Sequence, residues 1–169
     1  EEEGRFRIAE DGVKIVSTYG EELFTPPKPE EIPKRIETLI HFANELDSKP
    51  FIHPVIKAIM LHFWMAYIHP FTDGNGRMAR TLFYWYMLKH GYWLFEYTSI
   101  SKTILKKTVK YANAYLYSEH DDNDLTYFIH FHIDVIMDSV EELKKHIQIE
   151  REKNHQTLLE ITEHPELNV

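Results

Sequence analysis

The chain has 169 residues, of which 43% are hydrophobic, and it contains no cysteine. This size and composition predict one globular domain with a substantial core, and the absence of cysteine excludes disulfides and thiolate metal sites. The net charge of -8 argues against nucleic acid as a general partner, because phosphate-backbone binding requires a positive surface. No apolar run approaches the roughly 18 residues of a membrane span, so we expect a soluble protein without a membrane partner, and the absence of cysteine fits a reducing compartment such as the cytoplasm.

The first elements in chain order are a hairpin and a helix. The segment 12–24, "GVKIVSTYGEELF", has two β-prone arms around Gly20, which predicts a short β-hairpin. Apolar residues then recur at helical spacing between positions 30 and 46, which predicts an amphipathic helix. The sequence begins with Glu1 and not with Met, and we therefore expect further residues upstream.

Four more helical segments follow. A second helix is predicted to begin at Pro54, a favourable first-turn residue, and to end before Pro70, which leaves His69 at or just after its C-terminus. The segment 77–90 is apolar on nearly all sides and stops at Gly91, and we expect it to be the central buried helix. Further helices are predicted over about 101–117 and 125–160, the last one kinked or divided.

The stretch "HPFTDGNGRMAR", residues 69–80, places Arg77 and Arg80 in the first turn of the third helix. A helix N-terminus carries about half a positive charge, so two cations there are unfavourable unless an anion binds between them. Because the two arginines are three positions apart, their side chains share one face and could bind a polyphosphate together.

The residues around these arginines fit an anion site. Gly74 and Gly76 allow a backbone whose N–H groups form one concavity, and Asn75 can add an amide donor. Asp73 is a natural Mg²⁺ ligand beside a polyphosphate, and His69 can take a proton near neutral pH. Taken singly, these residues are equally well explained as helix caps, turn glycines or surface ions. Their joint occurrence within one short stretch favours the anion site.

The stretch matches the Fic-domain signature H-P-F-x-[D/E]-G-N-G-R-x-x-R at every specified position. The chain resembles that family over roughly residues 4–136, since "GRFR", "FTPPKP" and "DDNDLTYF" also occur in the family's order. The resemblance implies an all-α, mainly helical Fic fold with a small β-hairpin flap. We expect a Fic domain core at residues 1–136 and a C-terminal helical extension at 137–169, packed on the core or leading to a further module.

The resemblance also implies an activity, the transfer of AMP from ATP to the hydroxyl of a Ser, Thr or Tyr in a target protein. His69 would then be the general base, and Asp73 would hold Mg²⁺. The phosphates would be bound by the loop and the two arginines: the backbone of Gly74, Asn75 and Gly76, the Asn75 side chain near the α-phosphate, Arg77 at the β-phosphate and Arg80 at the γ-phosphate.

Partners follow from the same resemblance. Tyr111 lies where family members cover the adenine, although helical spacing explains it equally well as a core residue. The 12–24 hairpin would bind an extended stretch of the target protein by β-augmentation. Apart from the resemblance, self-modification and a homo-oligomer are further candidate interactions. The charged amphipathic segment that begins at Glu141 is best explained as a solvated helix face, with an oligomer contact or a stalk to a further module as the alternatives.

Other readings remain open. Many family members carry an inhibitory [S/T]-x-x-x-E-[G/N] helix; no complete match occurs in this chain, and we expect the helix upstream of it. Removal of AMP by the same site is the enzymatic alternative, and phosphate transfer of the kinase type is a weaker one. A non-catalytic nucleotide-sensing module is the alternative from another class. The cluster "HFHID" does not predict a metal site, because on a helix His130 and His132 point in nearly opposite directions.

Overall fold

The computed structural model describes residues 4–16, 22–44 and 50–163. Six α-helices make up most of these ranges, so the prediction of a mainly helical protein is confirmed. Three short 3-10 turns, at Ala9–Asp11, Pro29–Glu31 and Trp93–Glu96, join the longer elements.

Two short strands pair near the N-terminus. Strand β1 (Ile15–Val16) and strand β2 (Glu22–Phe24) are antiparallel, with Ile15 opposite Phe24 and an irregular register next to that pair. The connection predicted around Gly20 lies outside the described residues. The assignment of this segment as a target-binding flap therefore stays a prediction.

The first two helices follow the sequence pattern closely. Helix α1 (Ile32–Asn44) begins directly after the 3-10 turn, and helix α2 (Pro54–Ile68) begins at the predicted proline. Proline suits a first turn because its missing N–H would have no partner inside the helix there. His53, the N-cap residue, accepts a hydrogen bond from the Val55 N–H at 3.3 Å through its ring Nδ1.

Helix α3 (Asn75–Lys89) begins two residues earlier than the pattern predicts and ends at Lys89, just before Gly91, whose φ is 82°. The expectation that α3 is the central helix is wrong, because Trp85 and Leu88 on it are exposed. Helix α2 occupies the centre and is buried on nearly all sides: its buried residues are Lys57, Ala58, Ile59, Leu61, His62, Phe63, Met65, Ala66 and Ile68. The many bulky aromatic residues in the sequence of α3 led to the prediction of a fully buried helix, but several of its apolar side chains face solvent.

The predicted helix over 101–117 is two helices. Helix α4 (Ile100–Lys106) and helix α5 (Thr108–His120) are separated at Lys107, whose φ of -123° and ψ of 31° are not helical. Periodicity alone could not find this break, because no glycine or proline marks it.

Helix α6 (Thr126–Glu163) is a single helix of 38 residues, so the expected division is not observed. Its first half packs on the core through Phe128, His132, Val135 and Ser139, which recur at helical spacing and are all buried. The Ser139 hydroxyl lies 2.7 Å from that of Thr103 on α4. The helix thus runs through the proposed boundary between residues 136 and 137, and that boundary stays a prediction.

The second half of α6 leaves the core. Residues 144–149 and 151–160 are exposed, and their sequence mixes both signs of charge. Across the described ranges, no helix is both long and apolar enough to cross a lipid bilayer.

The packing of α3 on α2 predicts which phenylalanine matters for stability. Phe83 on α3 is fully buried and contacts the rings of His62 and Phe95. We expect Phe83→Ala to lower the free energy of unfolding by about 3–5 kcal/mol, since truncation leaves a cavity. The same substitution at Phe51, which is 77% exposed, should change it by no more than about 0.5 kcal/mol. Urea denaturation of both variants measures this, and equal losses would contradict the assignment of the core.

Candidate active site

The site is built on the turn that joins α2 to α3. His69 ends α2 in the left-handed conformation, with φ 48° and ψ 57°, and its N–H donates to the Met65 carbonyl at 3.2 Å. Gly74, at φ 85°, precedes the first residue of α3. A side chain at Gly74 would be strained, since L-residues rarely adopt this backbone. The chain thus reverses direction over five residues and brings His69 next to the start of α3.

His69 is held in one tautomer. Its ring Nδ1 lies 3.2 Å from the Ala66 carbonyl oxygen, which can only accept, so Nδ1 carries the proton and Nε2 is left with a free lone pair. Burial lowers the pKa of His69 below its usual value, and the positive charge of Arg7 lowers the pKa further, against the opposing effect of the Ala66 hydrogen bond. The imidazole is therefore neutral at physiological pH and able to accept a proton at Nε2.

The Asn75 side chain closes the turn. Its Oδ1 accepts from the Phe71 N–H at 2.9 Å, and its Nδ2 donates to the Phe71 carbonyl at 2.8 Å. The residue is buried, so these bonds replace water that the amide would otherwise bind. The Asn75 side chain thus stabilises the conformation of the loop, a structural role that the sequence did not indicate. Its predicted contact with the α-phosphate stays a prediction.

The two arginines fold back onto the glycine loop. A Cβ added at Gly74 would lie 3.4 Å from the Arg77 guanidinium, and one added at Gly76 would lie 3.2 Å from that of Arg80. Helical side chains lean toward the N-terminus, which explains this placement. The backbone N–H groups of the first turn lie before the first helical hydrogen bond, which runs from Met78 N–H to the Gly74 carbonyl at 2.9 Å. Free donors and two cations therefore surround one loop.

Asp73 is paired with one of these cations. Its Oδ2 accepts from Arg77 at 3.0 Å, and both side chains are largely exposed. An exposed ion pair of this kind contributes at most about 1 kcal/mol, so an anion or a cation can displace either partner. The described ranges contain no group of three or more acidic or histidine side chains that could hold a metal ion alone. Mg²⁺ beside a polyphosphate is commonly coordinated by one or two carboxylates together with phosphate oxygens and waters. The Asp73 side chain, once released from Arg77, fits that role.

An apolar cavity of about 210 Å³ lies beside the loop. It brings together parts of four elements: its walls are formed by Phe24, Ala66, His69, Gly76, Thr108, Tyr111, Ala112, Tyr115 and Leu116. Tyr111 thus lies in the same cavity as His69. Burial raises the pKa of Tyr111 to about 12, so its hydroxyl stays protonated, and it lies 3.5 Å from the His62 Nε2. The predicted site residues are accordingly grouped around one loop and one cavity.

A pair of buried histidines lies behind Tyr111. The rings of His62 and His132 are 4.7 Å apart, although the residues are 70 positions apart in sequence. Burial lowers the pKa of both, to about 4 for His132, so both are neutral parts of the core. His132 also bonds the Phe128 carbonyl of its own helix at 3.0 Å, and His130 does not join the pair. No local signal in the sequence indicates this pair.

Arg7 is a further residue whose contacts the sequence did not indicate. Its side chain is buried and donates to the carbonyls of Pro27, Ile68 and His69. Its own N–H donates to the Pro70 carbonyl at 2.8 Å. The motif "GRFR" identified the residue as a family element, but only the three-dimensional structure shows what it contacts.

The double hydrogen bond of Asn75 yields a test of the loop. Asn75→Ala leaves the part-buried N–H and carbonyl of Phe71 without their side-chain partners, and we expect the free energy of unfolding to fall by about 1–3 kcal/mol. Asn75→Asp keeps the acceptor for the Phe71 N–H but places a carboxylate oxygen against the Phe71 carbonyl, so it should destabilise the protein as well. Chemical denaturation compares the two. A wild-type value for Asn75→Ala would show that the loop does not depend on this side chain.

Comparisons with known proteins agree with this geometry. The sequence pattern of the Fic/DOC family matches residues 1–87, slightly more than half of the chain. Protein adenylyltransferase fic-1 of Caenorhabditis elegans is 36% identical over 69 residues, which are 41% of this chain and 13% of the relative. Protein adenylyltransferase Fic of Nematostella vectensis is 37% identical over 67 residues, 40% of this chain and 16% of the relative. The matched region is thus a small part of either relative.

Solved structures extend the likeness to most of the chain. A Fic family protein from Desulfovibrio desulfuricans superposes with a TM-score of 0.69 at 26% identity, covering 86% of this chain and 42% of that one. A Fic domain containing signaling protein from Bacteroides thetaiotaomicron gives a TM-score of 0.51 at 26% identity, covering 77% of this chain and 50% of that one. The fold, the loop and the family pattern agree, and the chain belongs to the Fic/DOC family.

Proposed function

We propose that the chain is a protein adenylyltransferase, which transfers AMP from ATP to the hydroxyl of a Ser, Thr or Tyr in a target protein. The observation that carries this proposal is the position of the neutral His69, which lines one cavity together with Gly76 of the anion loop and Tyr111. A proton acceptor, a phosphate site and a pocket for a flat ring are the three parts that this transfer requires. The names of the relatives in C. elegans and N. vectensis support the same activity.

ATP would bind along the loop and the start of α3. The backbone N–H groups of residues 74–76 lie at a helix N-terminus and would bind the phosphates, since the helix dipole also favours negative charge there. Arg77 would leave Asp73 to bind the β-phosphate, and Arg80, which lies against Gly76, would bind the γ-phosphate. The apolar cavity would hold the base, with Tyr111 against it.

Asp73 would hold Mg²⁺, since its carboxylate becomes available when Arg77 turns to a phosphate. Bound there, Mg²⁺ would neutralise charge on the phosphates and on the leaving pyrophosphate. The chain's own fixed donors, the loop N–H groups and Arg77, would stabilise the same charge without having to reorganise during the reaction.

His69 would remove the proton of the acceptor hydroxyl at Nε2. The hydroxyl oxygen then forms a bond to the α-phosphorus, the bond from that phosphorus to the bridging oxygen breaks, and pyrophosphate leaves. The hydrogen bond from Nδ1 to the Ala66 carbonyl stabilises the imidazolium that results. Positioned proton transfer of this kind commonly contributes about 10²- to 10⁴-fold to a rate.

The target protein would bind at the paired strands of segment 12–24. Strand β2 ends at Phe24, whose ring both lines the cavity and packs on Tyr67 and Tyr115. An extended target segment that pairs with this edge would therefore run past the cavity and bring its hydroxyl near His69. Self-modification would use the same edge, with a segment of another copy in place of the target.

The α-phosphate label distinguishes the activities. With a lysate as the source of targets, we expect wild-type protein to transfer ³²P from α-labelled ATP to protein, and His69→Ala to reduce that rate at least about 10²-fold while ATP still binds. His155→Ala, which removes an exposed histidine of α6, is the matched control. Label from γ-labelled ATP would instead support a kinase, release of label from a modified target would support removal of AMP, and no label from either ATP would support a nucleotide-sensing module.

The pH profile tests the general base. Because burial lowers the pKa of His69 below its usual value of about 6.5, the rate should fall toward acid pH with a midpoint below that value. Below the midpoint the imidazole is protonated and can no longer accept a proton. Initial rates at saturating ATP measure this limb. A midpoint above about pH 6.5 would contradict the assignment of His69 as a buried neutral base.

A further inference from the structure

Arg7 is a buried cation that lies outside the motif and 62 positions before His69. Its Nε donates to the His69 carbonyl at 2.7 Å, and its NH2 group lies 3.4 Å from the Ile68 carbonyl. Its backbone N–H donates to the Pro70 carbonyl at 2.8 Å. One residue therefore binds the carbonyl groups of His69 and of both of its neighbours.

These contacts lie at the C-terminus of α2, where backbone carbonyls lack partners within the helix. The last carbonyls of a helix have no partner inside it, and the end of α2 is enclosed in the protein, so their partners must come from elsewhere. A cation is also favourable at a helix C-terminus because of the helix dipole. The guanidinium presents several donors in a rigid plane and can reach two successive carbonyls, which an ammonium group cannot do in the same way.

His69 itself adopts a backbone conformation that requires support. A φ of 48° is uncommon for a residue other than glycine and persists where the surroundings hold it. The direction of the imidazole depends on this conformation, since the ring leaves the chain at the same Cα. A change of φ at His69 would carry the imidazole away from the cavity that His69 lines.

A further contact of Arg7, made outside the end of α2, connects the site to the segment that follows the strands. Its NH2 group also donates to the carbonyl of Pro27, three residues after Phe24 at the end of β2. Phe24 and His69 line the same cavity. The guanidinium thus fixes the segment that carries the proposed target-binding edge relative to the proposed base.

We propose that Arg7 is a positioning residue, which holds the His69 backbone in its left-handed conformation and sets the distance between the imidazole and the end of β2. This inference rests on the proposed function for its effect on catalysis. The alternative is that Arg7 only fastens the N-terminal segment to the core. Such a fastening would affect stability and would leave the imidazole and the rate of the folded protein unchanged.

The test uses three variants of the whole chain. Arg7→Gln removes the charge and the planar fork, Arg7→Lys keeps the charge and removes the fork, and Arg5→Gln is the matched control. Arg5 lies two residues away and pairs with Asp11 at 2.8 Å, so its loss removes the same charge from another place. Each variant is first checked for folding by circular dichroism and thermal melting.

The readouts are kcat, the KM for ATP, and the titration of the His69 ring by NMR. We expect kcat of Arg7→Gln to fall by about 10²-fold with KM for ATP changed by less than about threefold, because misplacement of a base by about 1 Å has this effect. The pKa of His69 should rise, since the nearby positive charge and part of the burial are lost. Arg7→Lys should lose about 10-fold in kcat and keep the pKa closer to that of the wild type. Arg5→Gln should match the wild type in all three.

One result would overturn the inference: a folded Arg7→Gln with the kcat and the His69 titration of the wild type, whether or not its melting temperature is lowered. If Arg7→Gln does not fold, Arg7→Lys decides through its kcat and its ring titration. The ring titration does not require transfer activity. Because Arg7→Lys keeps the positive charge, a shifted His69 pKa in that variant, in a protein whose wild type modifies no target, would uphold the positioning role and contradict the proposed function.

Discussion

Two hydrogen bonds between the Asn75 side chain and the backbone of Phe71 close the turn between α2 and α3. The turn lies at the end of the most buried helix of the described chain, so its start is fixed by the core, and the Asn75 amide fixes its end. The closure fixes the short distance between the end of α2 and the first turn of α3, and with it the fold of the glycine loop. The candidate catalytic and phosphate-binding residues keep fixed relative positions because they lie on one short segment that these hydrogen bonds stabilise.

The electrostatics of this segment are opposite to those of the whole molecule. The chain carries a net charge of -8, yet the loop gathers two guanidinium groups and the positive end of a helix dipole. Asp73 compensates Arg77 in the absence of an anion, through an exposed pair that is weak enough to open. The loop thus concentrates positive charge on a chain whose net charge is negative, which is the local arrangement that the proposed binding of a polyphosphate requires.

The sequence could predict the parts of this site that are local. Periodicity and prolines located α2, and the spacing of Arg77 and Arg80 predicted that both would share a face beside the glycines. Contacts between distant segments could not be predicted in this way. The His62–His132 pair and the contacts of Arg7 with the end of α2 join residues more than 60 positions apart, and no spacing rule encodes them. The break at Lys107 was missed for a related reason, since packing ends α4 there without a glycine or proline.

The long separation between Arg7 and His69 has a consequence for folding. Contacts between segments this far apart in sequence form slowly, because the entropy of closing the intervening loop must first be overcome. Helices α2 and α3 are adjacent in sequence and can associate early, which would create the phosphate loop before the N-terminal segment docks. The base would acquire its final orientation only when Arg7 arrives. Under the proposed function, a newly made chain would therefore form its phosphate site before the proposed base is in position.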